Sequence, residues 1–218
     1  MDENNVLAAD IQQEIEDELY FYVRSGFFPQ ADILGCARQI FEDICMDNDV
    51  SLPSESHIRQ TVERLADSAE SSVTDRNNYV RLRNVFDALN RERIIAIHFA
   101  GYTQSDGHDY VGVVFQFMKD NNIPRRGYCF YHQQDIERAM DESIKCLYLA
   151  FHSMNGDEQI AVEVGKRIAE LLTQNGFDVE WDNSPGTRIA VNNFLWDKVY
   201  DEEDYGIDRA IRIMREVM

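Results

Sequence analysis

The sequence predicts an α/β protein, with α+β as the neighbouring class: a mixed β-sheet with flanking helices, preceded by an all-helical region. Three observations carry that prediction. Apolar residues recur at helical spacing through residue 91, and the period changes at Arg93. Three short apolar runs follow, each leading into a polar turn and then a helical pattern. A last pair of short stretches flanks Asn183–Gly186 as a hairpin, which makes a purely parallel sheet improbable. The expected division is a helical region over 1–91 and an α/β domain with a C-terminal helix over 92–218.

The elements follow in order. Leu7, Ile11, Ile15, Leu19 and Tyr22 form one helical stripe, and Gly26 stops it. A second helix follows Pro29, with Ile33, Ala37, Ile40, Phe41 and Ile44 on one face. The polar segment Asp47–Ser54, with Pro53, is a connection. Ser54 or Ser56 caps a third helix carrying Ile58, Val62 and Leu65. Thr74 or Asp75 opens a fourth, which buries Tyr79, Leu82, Val85, Phe86 and Leu89.

Ile94–Ala100 is the first strand and ends at Gly101. A helix with Val111, Val114, Phe115 and Met118 leads to the loop Asn121–Arg126. Gly127–Tyr131 is the second strand, Asp135–Met140 a short helix and Lys145–Phe151 the third strand. The next helix presents Ile160, Val164, Ile168, Leu171 and Leu172, and Gly176 stands at its C-terminal cap. Gly165 in its middle costs about 1 kcal/mol against Ala, which a close approach to a strand would explain. Phe177, Val179 and Trp181 alternate with acids, Arg188–Val191 returns the chain, and Ile207, Ala210, Ile211 and Met214 mark the last helix.

Composition narrows the function classes. A hydrophobic share of 44% supplies a core, and no apolar run approaches the roughly 20 residues that span a bilayer. The N-terminus is acidic where a signal peptide is basic, so the expected location is the cytoplasm and no membrane is involved. The four cysteines show no CxxC pair and no metal-like spacing, and Cys129 and Cys146 fall inside strands, as buried reduced thiols do. A net charge of -19 with a pI near 4.5 argues against nucleic acid as a partner. An acidic face for a basic protein is one reading of that charge. Plain solubility is the favoured one.

The three strand ends carry the chemistry: HFAGYTQSDGH, YCFYHQQD and LYLAFHSMNGDE. As parallel neighbours, the strands would place all three turns on one rim, where open α/β sheets bind ligands. In the first turn, Asp106 and His108 have the spacing of two metal ligands, and the turn could meet an anion at a helix N-terminus. The competing account is helix capping by Ser105 or Asp106. In the second turn, His132 is a candidate base or ligand with Asp135 as its partner, against His132 or Gln133 as a cap. The third turn, with His152, contributes least, since Asp157 or Ser153 is a plain cap. His98 reads as a buried, hydrogen-bonded histidine. Arg188 reads as a cross-strand partner of Glu180 or Asp182 before it reads as an anion ligand. The candidate pocket is therefore Tyr102, Thr103, Ser105, Asp106, His132 and Asp135. A divalent metal, if bound, would take Asp106, His108 and His132. No HExxH, GxSxG, Walker A or dinucleotide-glycine pattern occurs, and no catalytic residue is assigned.

Taken together, TDRNNYVRLRNVFDAL, AGYTQSDG, GYCFYHQQDIERA, LYLAF, VGKRIAELLTQNGFDVEWD and TRIAV resemble a bacterial family of domain-of-unknown-function proteins. The resemblance covers about the last two-thirds of the chain. It implies a bacterial source and a shared fold, and it brings no activity with it. His152 stands where the family usually has a small residue after LYLAF, which sets it apart from any essential role. The expected function is a binding or regulatory protein that engages a protein partner or a small ligand through its acidic surface or the rim pocket. The alternative is a metal-assisted hydrolase using Asp106 and His132.

Overall fold

The computed structural model describes residues 7–71 and 77–217. They form two compact units, one of residues 7–71 with Asp197–Glu202 and one of residues 77–196 with 203–217. In the first, helices α1 (Ala9–Arg24), α2 (Gln30–Asp47) and α3 (Glu55–Ser71) bury the predicted stripes against one another. Ile15, Leu19, Ala37, Phe41 and Ile58 are fully or almost fully buried there. Gly26 has φ +72, which glycine adopts without a Cβ penalty, and Pro29 stands at the N-cap of α2.

The second unit opens with α4 (Asn78–Arg91). Its expected cap, Thr74 or Asp75, lies outside the described residues. A five-stranded mixed sheet follows: β1 (Ile94–Ile97), β2 (Gly127–Phe130), β3 (Leu147–Ser153), β4 (Asp178–Glu180) and β5 (Ile189–Asn192), in the order β1-β2-β3-β5-β4. The intervening helices are α5 (Gln104–Asp120), α6 (Gln133–Met140) and α7 (Glu158–Gln174), and α8 (Ile207–Glu216) closes the chain. Ile95, Ile97, Phe130 and Ala150 form a core with Val111, Val114 and Met118 of α5 and Ala210 and Met214 of α8. On the other face, α7 comes so close that a Cβ on Gly165 would lie 2.5 Å from Trp181 and 2.7 Å from Phe151. That approach is the reason for glycine at mid-helix. β1 is an edge strand, and Asn90 covers part of it by donating to Ala96 O (2.8 Å) and accepting from Ala96 N (2.9 Å). No helix among the described residues is long and apolar enough to cross a membrane.

One expectation is corrected. β1 and β2 are parallel, with Ile94 beside Gly127, but β3 runs antiparallel to β2, with Gly127 beside Ser153. Helix length explains the difference. The 17 residues of α5 rise about 25 Å and carry the chain back along the sheet, whereas the 8 residues of α6 rise only about 12 Å. The turn after α6 therefore returns the chain into the sheet from the rim at which α6 began. The third polar turn sits on the opposite rim, where Met154 N donates to Arg126 O (3.4 Å). His152 and Asp157 are thus separated from the first two turns, and Asp157 caps α7 through Gln159 N and Ile160 N.

Candidate functional site

The first two turns are stitched together by main chain. Ala100 N donates to Tyr131 O (2.9 Å) and Gln133 N to Gly101 O (3.0 Å), so the ends of β1 and β2 and the starts of α5 and α6 share one rim. Gly101 is required twice over. Its φ is +74, and a Cβ there would lie 2.4 Å from that of Asp106.

Asp106 is a capping residue. Its Oδ2 accepts from Thr103 N (2.7 Å), Tyr102 N (3.0 Å) and the Thr103 hydroxyl (3.1 Å). Bonds from Thr103 and Tyr102 hold its pKa below the ordinary carboxylate value. The N-cap itself is Thr103, where Ser105 or Asp106 was expected, and Asp106 takes the N3 place of its capping box. Ser105 and Tyr102 are exposed. His108 is exposed on α5 and meets the Tyr128 hydroxyl at 3.2 Å, edge-on to Tyr128 and Phe130. Asp106, His108 and His132 thus have separate partners. Among the described residues, no group of three or more His, Cys, Asp or Glu side chains is placed to hold a metal ion.

The second turn is where buried charge collects. Asp135 is 0% exposed and His132 3%. Asp135 Oδ2 accepts from His132 N (3.2 Å) and Arg188 Nη2 (2.5 Å), and Oδ1 accepts from Arg138 Nη1 (3.3 Å). The His132 ring lies against the same carboxylate, Nε2 to Oδ2 3.3 Å. Arg188 also donates to Tyr148 O (3.0 Å), with its guanidinium 5.6 Å from the centre of the Tyr148 ring. Arg188 is not the cross-strand partner of Glu180 or Asp182: Asp182 accepts from Thr187 and Ser184 within its own turn. Arg188 instead crosses β3 to the start of α6.

Asp135 is paired here with two guanidiniums, and Asp106 stands in electrostatic reach of His132 at the same rim, in a chain of net charge -19. His132 adds no charge near neutrality. Burial lowers its pKa and Arg188 and Arg138 lower it further, against the upward pull of Asp135 and Asp106. His132 is the N-cap of α6 and forms a capping box with Asp135, and Arg188 Nε is a buried donor with no hydrogen-bond partner among the described residues. Burial pushes the Cys129 thiol well above the usual thiol range and raises that of Cys146.

His98 is 2% exposed, stacked on Phe86, with Nδ1 2.8 Å from the Tyr131 hydroxyl. It is part of the core. Arg138 and Tyr148 were not legible as site residues, although Arg138 stands three residues after Asp135, a spacing that brings opposite charges together on a helix. Arg188 lies 53 residues from Asp135, and only the fold shows where it reaches.

A family model described as "Domain of unknown function (DUF6891)" matches residues 8–200. The chain belongs to that family. The match takes in every residue of the rim, from Gly101 to Arg188, and stops before α8. No curated protein and no solved structure matches the chain.

Proposed function

We propose that this DUF6891 chain is a bacterial cytosolic binding protein that holds a small oxyanion, a carboxylate or a phosphate, at the rim formed by His132, Asp135, Arg138 and Arg188. One observation carries the reading: Asp135, fully buried, is held by two guanidiniums, and Arg188 Nε beside it is a buried donor with no hydrogen-bond partner among the described residues. An oxyanion offers acceptors in the planar geometry that a guanidinium matches best. The Arg188 and Arg138 side chains are 28% and 43% exposed and give the cluster its edge toward solvent. Elsewhere the surplus of acid disfavours nucleic acid and anionic lipid, so the rim is the place where a small anion is attracted.

Thermal unfolding of the full chain with millimolar acetate, lactate, phosphate and sulfate tests this. A ligand at a hundred times its Kd stabilises the folded state by about 2.7 kcal/mol, a readily measured rise in Tm. The expected result is such a rise with at least one of these ions. Arg138→Gln, which alters only a half-exposed side chain, should weaken binding about tenfold. A Tm unmoved by every ion, or moved equally in Arg138→Gln, contradicts the proposal.

A further inference from the structure

We infer that the groove between α7 and the edge strand β4 takes an extended, basic segment of a partner protein, added to the sheet as a further strand. β4 ends the sheet. It pairs with β5 on one side, and among the described residues no strand, loop or side chain bonds to its main chain on the other. Such an edge is a template for another strand. Beside it lies a groove of about 390 Å³. Val179 and Trp181 form its apolar side, and Ala169, Glu170 and Thr173 of α7 form the facing wall. A helix beside an open sheet edge suits strand addition, in which main-chain bonds hold an extended peptide and alternate side chains enter pockets. Trp181 is fixed in place, edge-on to Phe151 at 5.2 Å and donating its indole N–H to Ser184 O (3.0 Å), so the groove is preformed. The surface shares no residue with the rim of His132, Asp135, Arg138 and Arg188.

Charge and alternation say what the segment is. Side chains alternate along a strand. Val179 faces the α7 groove, and Asp178 and Glu180 face the other way, both exposed. There Asn193 Nδ2 donates to Asp178 Oδ2 (3.0 Å) and Asn192 Nδ2 to Glu180 Oε2 (3.2 Å). Both partners are neutral amides, so these bonds leave the two negative charges in place. Glu170, by contrast, is paired with Arg167. In an added strand each side chain shares a face with the residue opposite. The residues opposite Asp178 and Glu180 are therefore basic, and the one between them, opposite Val179, is apolar and enters the groove. A second copy of this chain is not the occupant. Two β4 strands paired antiparallel would set Asp178 against Glu180, and like charges directly opposite are destabilising.

Titration calorimetry of the full chain with two end-blocked peptides, Thr-Lys-Val-Lys-Thr and Thr-Glu-Val-Glu-Thr, tests the inference. The lysine peptide should bind about tenfold tighter, because two cross-strand pairs change from repulsion to attraction. Methylating its main-chain nitrogens removes the strand hydrogen bonds without altering a side chain, and should abolish binding. Glu180→Lys, a change at an exposed position, should erase most of the preference between the two peptides. In the 15N-labelled wild-type chain, the amides of Asp178, Val179 and Glu180 and the indole N–H of Trp181 should shift with the lysine peptide and saturate. Equal affinity for the two peptides, undiminished binding after methylation, or shifts that spare β4 and Trp181 overturn the inference. So does the absence of any binding of the lysine peptide at millimolar concentration. None of these results bears on acid binding at the rim.

Discussion

At Asp135 a single carboxylate holds the rim together, and its removal should be costly. Asp135→Asn leaves Arg188 and Arg138 without their counter-charge beside a buried amide. Breaking a fully buried ion pair from one side costs roughly 3 kcal/mol, and less here because the guanidiniums left behind are 28% and 43% exposed; urea denaturation should show the loss as a lower midpoint with unchanged slope. His132 gives a pH signature. Burial and the two arginines put its folded-state pKa below the ordinary value, while Asp135 and Asp106 oppose them. The unfolded chain therefore takes up this proton first as pH falls through about 6.5. The stability involved is present in full above that pH and drains away as pH drops toward the folded-state pKa. Stability followed from pH 8 to pH 5 should decline in the wild type and decline less in His132→Gln. At this scale the sequence showed that His132 and Asp135 were worth watching. It could not show that Asp135 is paired with Arg188, because that contact crosses 53 residues and depends on the direction of β3.

Among the elements, Gly165 in α7 sets two effects against each other. Alanine at a helix interior gains about 1 kcal/mol over glycine, but its Cβ would sit 2.5 Å from Trp181 and 2.7 Å from Phe151, inside contact distance. Overpacking costs about 1–3 kcal/mol, so Gly165→Ala should be net destabilising in chemical denaturation. A stabilised variant would show that Trp181 yields easily. The helices and strands themselves were largely readable, since their apolar spacing is a local property: Val111, Val114 and Met118 are buried on α5, and β1 starts at Ile94 as expected although it ends at Ile97, before Ala100. What was not readable was how the strands are paired. The lengths of α5 and α6 decide that point, and they separate the His152 turn from the other two. Capping likewise went to Thr103 instead of Ser105 or Asp106, which reflects which side chain faces the Asp106 N–H.

For the whole molecule, the decisive quantity is a net charge of -19 around a rim that carries two guanidiniums. A polyanion meets the field of the entire surface, whereas a small anion that reaches the rim meets two guanidiniums at contact distance. The chain should therefore bind neither duplex DNA nor single-stranded RNA at 0.1 M salt by gel shift, and a retarded band would show a basic face that the charge distribution does not suggest. Small-acid binding at the rim is best tested where it is proposed to occur. In a 15N-labelled full chain, the side-chain Nε–H resonances of Arg188 and Arg138 should move together and saturate on titration with lactate or phosphate, with matching changes at His132. Shifts that never saturate, or that saturate at other residues while Arg188 and Arg138 stay still, would contradict the rim as the binding site.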